Sequence, residues 1–241
     1  MNLVRSVFFA LIFYTGTVLV CVTALLVAPF GRAPIRSVVH FWARFHHWLV
    51  HNVLRIRFEW DGEVPTGAYI VAVKHHAMVE AVDTLRFAHT PIVVMKKELV
   101  DLPLWGWVTR IYGVIGVDRS AGAKALRDMV AKGRRAQADG RPIVIFPEGT
   151  RVPEGAAPPL RPGFAGLYRV LKMPVVPIAH DSAHVWPKGF VKKAGVIRFK
   201  VGEPLPPGLP REEIEALVHE KINLLVDDRR LTSRPSGDLA P

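Results

Sequence analysis

Tyr69-Ile70-Val71-Ala72-Val73-Lys74-His75-His76-Ala77-Met78-Val79-Glu80-Ala81 is the stretch on which the reading of this chain turns. Its first five residues carry no charge and are mostly β-branched, as expected of a strand buried on both faces. A polar turn follows, and the pattern then changes to a helical one from Val79. An apolar strand that ends in a polar turn and opens a helix is the repeating unit of an α/β fold.

Working outward, the same unit recurs. Candidate strands are Arg55–Trp60, Ala68–Val73, Ile92–Met95, Gly113–Val117, Ile143–Phe146, Val175–Ala179 and Val196–Val201. Candidate helices are Val79–Phe87, Leu104–Ile111, Ala121–Ala138, Phe164–Leu171 and Arg211–Val226, the last with an apolar stripe of Ile214, Leu217, Val218, Ile222 and Leu225. The expected fold is α/β, a mixed but largely parallel sheet flanked by helices. The Pro/Gly-rich run Val152–Gly163 reads as a loop, and residues 227–241 read as a polar tail. The chain thus divides into an N-terminal membrane segment (1–54), one α/β domain (55–226) and the tail.

Residues Val7 to Phe30 contain no charged side chain, about 24 residues where roughly 20 cross a bilayer core. That run exceeds the apolar core of a signal peptide and lacks a small-residue cleavage site, so a retained anchor is expected. Arg5 precedes it and Arg32, Arg36 and Arg44 follow, which places the bulk of the chain in the cytoplasm. Val38 to Leu54 carries Phe41, Phe45, Trp48, Leu49 and Val53 at helical spacing. Two readings fit: an interfacial helix, or a helix packed on the domain. The chain holds 32 Lys and Arg against 21 acids, a formal charge of +11. That excess calls for an anionic partner, and beside an apolar anchor the partner is a phospholipid surface. No Lys/Arg block with interleaved aromatics points to nucleic acid. One cysteine, Cys21, excludes an internal disulfide and a multi-cysteine metal site.

Two clusters carry chemistry. His75 and Glu80 lie five positions apart, about 140° on a regular helix, so they meet only if His75 sits in the turn and Glu80 in the first helical turn. There a carboxylate can hold an imidazole as general base, an arrangement worth ~10²–10⁴-fold. The plainer alternative is a capping histidine beside an ordinary helix-forming glutamate. Asp83, three residues on, reads as a helix-surface residue. The second cluster is Phe146-Pro147-Glu148-Gly149-Thr150-Arg151. Gly149 permits a sharp turn, Arg151 can grip phosphate bidentately, and Glu148 can hold a substrate hydroxyl or orient Arg151. A local Glu148–Arg151 ion pair is the alternative. Arg119, after Gly113–Val117, can bind phosphate or pair with Asp118. Lys96 and Lys97 at another strand end include at least one solvated lysine. His180 and His184 have a zinc-compatible spacing without a third ligand, and Pro177 and Pro187 disfavour a helix there, so no metal site is expected.

Taken in order, these motifs resemble the 1-acyl-sn-glycerol-3-phosphate acyltransferase family over about Phe58 to Pro204. His75-His76-Ala77-Met78-Val79-Glu80 is similar to its His-x4-acid motif, Gly113–Arg119 to the second, Phe146–Arg151 to the third and Val176-Pro177-Ile178 to the fourth. Ala77 and Gly116 depart from the common pattern. The resemblance implies a glycerolipid-acyltransferase-like fold and acyl transfer from an acyl-carrier-protein or coenzyme A thioester to the sn-2 hydroxyl of lysophosphatidic acid, giving phosphatidic acid. It implies His75 as base, Glu80 as its partner, and an acceptor site of Lys96, Arg119, Glu148, Gly149, Thr150 and Arg151. No metal or other cofactor is implied. The partners would be membrane phospholipids, the lysolipid acceptor and the thioester carrier, and the location the cytoplasmic face of the inner membrane. Another lysolipid acceptor, such as lyso-ornithine lipid, and a non-catalytic lipid-binding protein are the alternatives.

Overall fold

The computed structural model describes residues 1–232. In chain order the elements are α1 (Asn2–Val27), a 3₁₀ turn (Ala28–Phe30), α2 (Arg32–Asn52), β1 (Ile56–Asp61), β2 (Ile70–Val73), α3 (Val79–Phe87), β3 (Ile92–Lys96) and α4 (Lys97–Val100). Then come α5 (Trp105–Tyr112), β4 (Ile115–Val117), α6 (Gly122–Ala138), β5 (Ile143–Ile145), α7 (Pro162–Leu171), β6 (Val175–His180), a 3₁₀ turn (Ser182–His184), β7 (Gly195–Val201) and α8 (Arg211–Thr232).

The strands form one seven-stranded sheet in the order β1-β7-β6-β2-β5-β3-β4. Every pairing is parallel except β6 with β7, which confirms the mixed, largely parallel sheet. β2 lies centrally, with Ile70 opposite Val175 of β6 on one side and Ile143 of β5 on the other. Its four side chains are fully buried. Because strand side chains alternate, Val71 and Val73 pack toward α1, α2, α3 and α5. Ile70 and Ala72 pack toward α6, α7 and α8. The parallel pairing brings the carboxyl ends of β2, β3, β4, β5 and β6 to one edge of the sheet. In open α/β sheets that edge is where ligands bind.

α1 and α2 form an antiparallel hairpin: Phe13 meets Trp42, Phe9 meets His46, and the Trp42 indole N–H donates to the Thr17 hydroxyl at 2.9 Å. Gly31, at φ +102°, makes the connection. Among the described residues, α1 with its 3₁₀ extension is the one helix long and apolar enough to cross a membrane. Phe8, Leu11, Leu19 and Leu26 stay exposed on it. α2 packs on the domain by one face and leaves aromatic side chains exposed on another. Its buried face is Ile35, Val39, Trp42, Ala43, His46, Leu49 and Val50, while Phe41 and Trp48 face outward. The anticipated aromatic stripe is therefore split, because α2 is wedged between α1 and the domain.

Other boundaries move for local reasons. Gly113 is the left-handed C-cap of α5, so β4 starts at Ile115 and not at Gly113. Pro162 opens α7 within the first turn, two residues before Phe164. α8 runs past Val226 to Thr232, and residues 233–241 of the expected tail lie outside the described residues.

A Cβ built on Gly16 would stand 2.5 Å from the Phe45 ring. Gly16→Leu should therefore push α1 off α2 and destabilise the fold by about 1–3 kcal/mol. Chemical denaturation in detergent checks this; an unchanged midpoint would contradict the packing.

Candidate active site

Glu80 is the second residue of α3, in the turn whose N–H groups lack helical partners. Its Oε1 accepts the backbone N–H of His76 at 2.7 Å and of Ala77 at 2.5 Å. The same oxygen receives His75 Nδ1 at 3.0 Å, and Oε2 accepts the Ser182 hydroxyl at 3.2 Å. The chain thus folds back as the spacing required, and Glu80 is a fully buried carboxylate at a helix N-terminus. Burial, the strongest single influence on it, favours the neutral acid. His180, His75 and the Ala77 N–H together outweigh that and hold the carboxyl at about 2.

The tautomers follow from the partners. A carboxylate only accepts, so His75 Nδ1 carries the hydrogen and the neutral ring offers a free lone pair at Nε2. The His75 ring lies 4.2 Å from that of Phe146, tilted by 30°, and its side chain is 17% exposed, so it remains reachable. His180 Nε2 donates to the Lys74 carbonyl at 2.6 Å, and its Nδ1 faces the Ser182 N–H at 3.4 Å. Burial, only partly offset by Glu80, lowers His180 to about 4. It is therefore neutral at pH 7, where Glu80 is held by His75 and the amides.

Lys74, the residue before His75, is buried completely. Its ammonium donates to Glu148 Oε1 at 2.5 Å, to Asn223 Oδ1 of α8 at 2.6 Å and to the Ala156 carbonyl at 2.9 Å. Burial lowers its pKa, and Glu148 pulls it back up. Glu148 Oε2 accepts the His75 backbone N–H at 2.9 Å. Two expectations for Glu148 are thus corrected. Its side chain is wholly buried and both oxygens are occupied, so it neither meets a substrate hydroxyl nor orients Arg151. It anchors the His75 backbone.

The arginine-bearing turn is stapled to the same place. The Val152 N–H donates to the His75 carbonyl at 2.7 Å, and His76 Nδ1 donates to the Val152 carbonyl at 2.8 Å. Gly149 turns at φ +69°, where a Cβ would also strike Arg161. Thr150 and Arg151 are left exposed directly before Val152. Arg119 and Lys96 reach the same sheet edge through the β3–β4 pairing, in which Lys96 lies opposite Val117. Arg119 is exposed, and Asp118 turns to Ser120 instead of pairing with it. Lys96 Nζ pairs with Glu98 at 2.8 Å on the surface.

Asp83 is not a helix-surface residue. It is buried, with Oδ1 receiving His47 Nδ1 of α2 at 3.0 Å and Arg86 Nη1 at 2.9 Å. It ties α3, and so Glu80, to the hairpin. Among the described residues no three His, Cys, Asp or Glu side chains gather where a metal could sit, and His184 Nδ1 donates to the Asp181 carbonyl. Sequence reasoning missed Lys74, Asn223 and Ser182, and weighed His180 only as a metal ligand. The only signal was a lysine closing an apolar strand, which does not tell burial from exposure.

The model of the Acyltransferase family matches residues 55–181. A 1-acyl-sn-glycerol-3-phosphate acyltransferase of Pseudomonas aeruginosa is 34% identical over 207 residues, covering 83% of this chain and 79% of that protein. The human 1-acyl-sn-glycerol-3-phosphate acyltransferase beta is 28% identical over 53% of this chain and 47% of its own length. The crystal structure of a 1-acyl-sn-glycerophosphate acyltransferase from Thermotoga maritima shares the fold, with a TM-score of 0.74, 98% coverage of both chains and 23% identity.

Two stability outcomes follow. Glu80 is depressed from 4.5 to about 2 on folding, so its contribution is complete above pH 4.5 and disappears as pH falls through 2. Denaturation measured against pH should lose this limb in Glu80→Gln; an identical acid limb would contradict the assignment. Lys74→Met leaves the Glu148 carboxylate buried without its cation and should cost about 3–5 kcal/mol in the same assay at pH 7. A change within about 0.5 kcal/mol would contradict the buried pair.

Proposed function

Because the chain belongs to the Acyltransferase family, we propose that it moves a fatty acyl group from an acyl-carrier-protein or coenzyme A thioester to the sn-2 hydroxyl of lysophosphatidic acid, forming phosphatidic acid. The observation that carries this reading is the His75–Glu80 contact, which leaves one imidazole nitrogen free beside an exposed arginine turn. His75 Nε2 takes the hydroxyl proton as the acceptor oxygen attacks the thioester carbonyl. Glu80 stabilises the imidazolium that forms. The tetrahedral intermediate collapses, the carbon–sulfur bond breaks, and the imidazolium returns its proton to the departing thiolate. The thioester brings its own activation, so the step calls for no further cofactor.

Arg151 and Arg119 are the phosphate ligands in this scheme, with Lys96 beside them and Gly149 and Thr150 shaping the turn. The fork of an arginine suits a phosphate monoester better than a neutral headgroup. The acceptor keeps its acyl chain in the bilayer, against the exposed faces of α1 and α2, and extracting it would cost ~0.8 kcal/mol per CH₂. On the excess of arginine after α1 we put the domain at the cytoplasmic face of the inner membrane.

The departures at Ala77 and Gly116 fall at packed positions. Ala77 is buried and donates its N–H to Glu80. A side chain at Gly116 would meet Val100 of α4 at 3.3 Å.

Purified enzyme assayed with lysophosphatidic acid and both thioesters tests the reading. His75→Ala should lower kcat about 10²–10⁴-fold. Arg151→Ala should raise the acceptor KM about 10–100-fold with a smaller effect on kcat. Wild-type turnover by His75→Ala sinks the base assignment, and an unchanged KM in Arg151→Ala sinks the phosphate role. Turnover of another lysolipid without any of lysophosphatidic acid would replace the acceptor.

A further inference from the structure

Between β6 and β7 the chain makes a loop that neither the sheet nor the chemistry requires. Its base is closed by the Lys193 N–H donating to the Val185 carbonyl at 2.9 Å. Inside, the Lys192 ammonium donates to the carbonyls of Pro187 at 3.1 Å and Gly189 at 2.7 Å, and lies 5.1 Å from the Trp186 ring centre. These contacts fix the turn and leave its tip, Phe190 and Val191, 57% and 37% exposed. An aromatic and a β-branched residue held outward on a closed loop cost solubility and contribute nothing to the core.

The loop is seated on α1. The Lys192 N–H donates to the Ser6 hydroxyl at 2.8 Å, and Phe9 packs edge-on against Trp186 at 5.5 Å. Its apolar tip is thereby held at the N-terminal end of the apolar helix α1, whose outer face exposes Phe8 and Leu11. Lys188 and Lys193 are exposed around it, Arg5 lies beside Ser6, and no acidic residue occurs from Ser182 to Pro204 except Glu203. Apolar residues ringed by lysines suit an anionic bilayer surface. On the other side, the 3₁₀ turn from which the loop springs donates its Ser182 hydroxyl to Glu80 at 3.2 Å, so the loop rises beside the site.

We propose that the loop Pro187–Lys193 is a second membrane-insertion element, with Phe190 and Val191 entering an anionic leaflet beside the mouth of the site. This rests on the acyltransferase reading only for its purpose, which is to hold the mouth at the depth where a lysolipid phosphate lies. The seating itself is a property of the surface. α1 holds the protein at the membrane, and the loop sets which edge of the sheet faces it.

A depth probe tests the seating without any assay of turnover. Phe190→Cys in a Cys21→Ser background carries an environment-sensitive fluorophore at the tip alone, and the protein is reconstituted with vesicles. The expected result is a blue shift on phosphatidylcholine vesicles containing phosphatidylglycerol, and a clearly smaller one on pure phosphatidylcholine. No shift on either overturns insertion, and equal shifts overturn the anionic preference. The purpose is tested with Phe190→Ser/Val191→Ser. Acylation of long-chain lysophosphatidic acid in vesicles should fall about tenfold, while a short-chain, water-soluble acceptor is turned over as by wild type. Equal loss on both acceptors, or no loss on either, overturns the role at the mouth. A blue shift in the labelled protein, with a wild type that acylates neither acceptor, would instead defeat the acyltransferase reading and leave the insertion standing.

Discussion

The Glu80 carboxylate is the group around which the catalytic edge is assembled. It is cut off from water, yet it collects the His75 ring, two backbone N–H groups and the Ser182 hydroxyl. A charge in that position survives because hydrogen bonds replace the lost hydration. Each donor comes from a piece of chain that must be placed correctly. The end of β2 delivers His75, the turn between β2 and α3 delivers the amides, and the turn after β6 delivers Ser182. The geometry of the base is therefore a consequence of how three elements meet at the carboxyl edge of the sheet.

A second buried charge backs the first. Lys74 and Glu148 form an ion pair with no exposure, and Asn223 brings α8 into it. Such pairs gain little net stability, because desolvation offsets attraction. Their use here is positional. Glu148 grips the backbone N–H of His75, so the Phe146–Arg151 turn and the histidine turn cannot shift independently. On the opposite side Asp83 binds His47 and Arg86, which ties α3 to the hairpin. The base is thus braced by the C-terminal helix behind it and by the apolar hairpin beside it.

The sequence showed most of the frame because its strands are buried on both faces and read as unbroken apolar runs. β2 and β6 were legible for that reason, as were Glu80 and His75, whose spacing only works across a strand-to-helix turn. Asp83 was misread because α3 is covered twice, by the sheet and by α2, and a helix buried on both sides has no polar face to reveal. Glu148 was misread because its partner, Lys74, lies 74 positions away, and pattern along the chain does not carry pairing at that range. The aromatic stripe of α2 was split for a related reason: Phe41 and Trp48 face out while Trp42 and His46 face α1, and spacing alone does not say how many neighbours a helix has.

The central claim is that Glu80 fixes the hydrogen of His75 on Nδ1 and leaves Nε2 free to accept a proton. The ¹⁵N resonances of the His75 imidazole, recorded where the ring is neutral, read this directly. The account predicts a protonated-type signal at Nδ1 and a lone-pair-type signal at Nε2, with that preference lost in Glu80→Gln. A neutral ring protonated at Nε2 in the wild-type protein would contradict it.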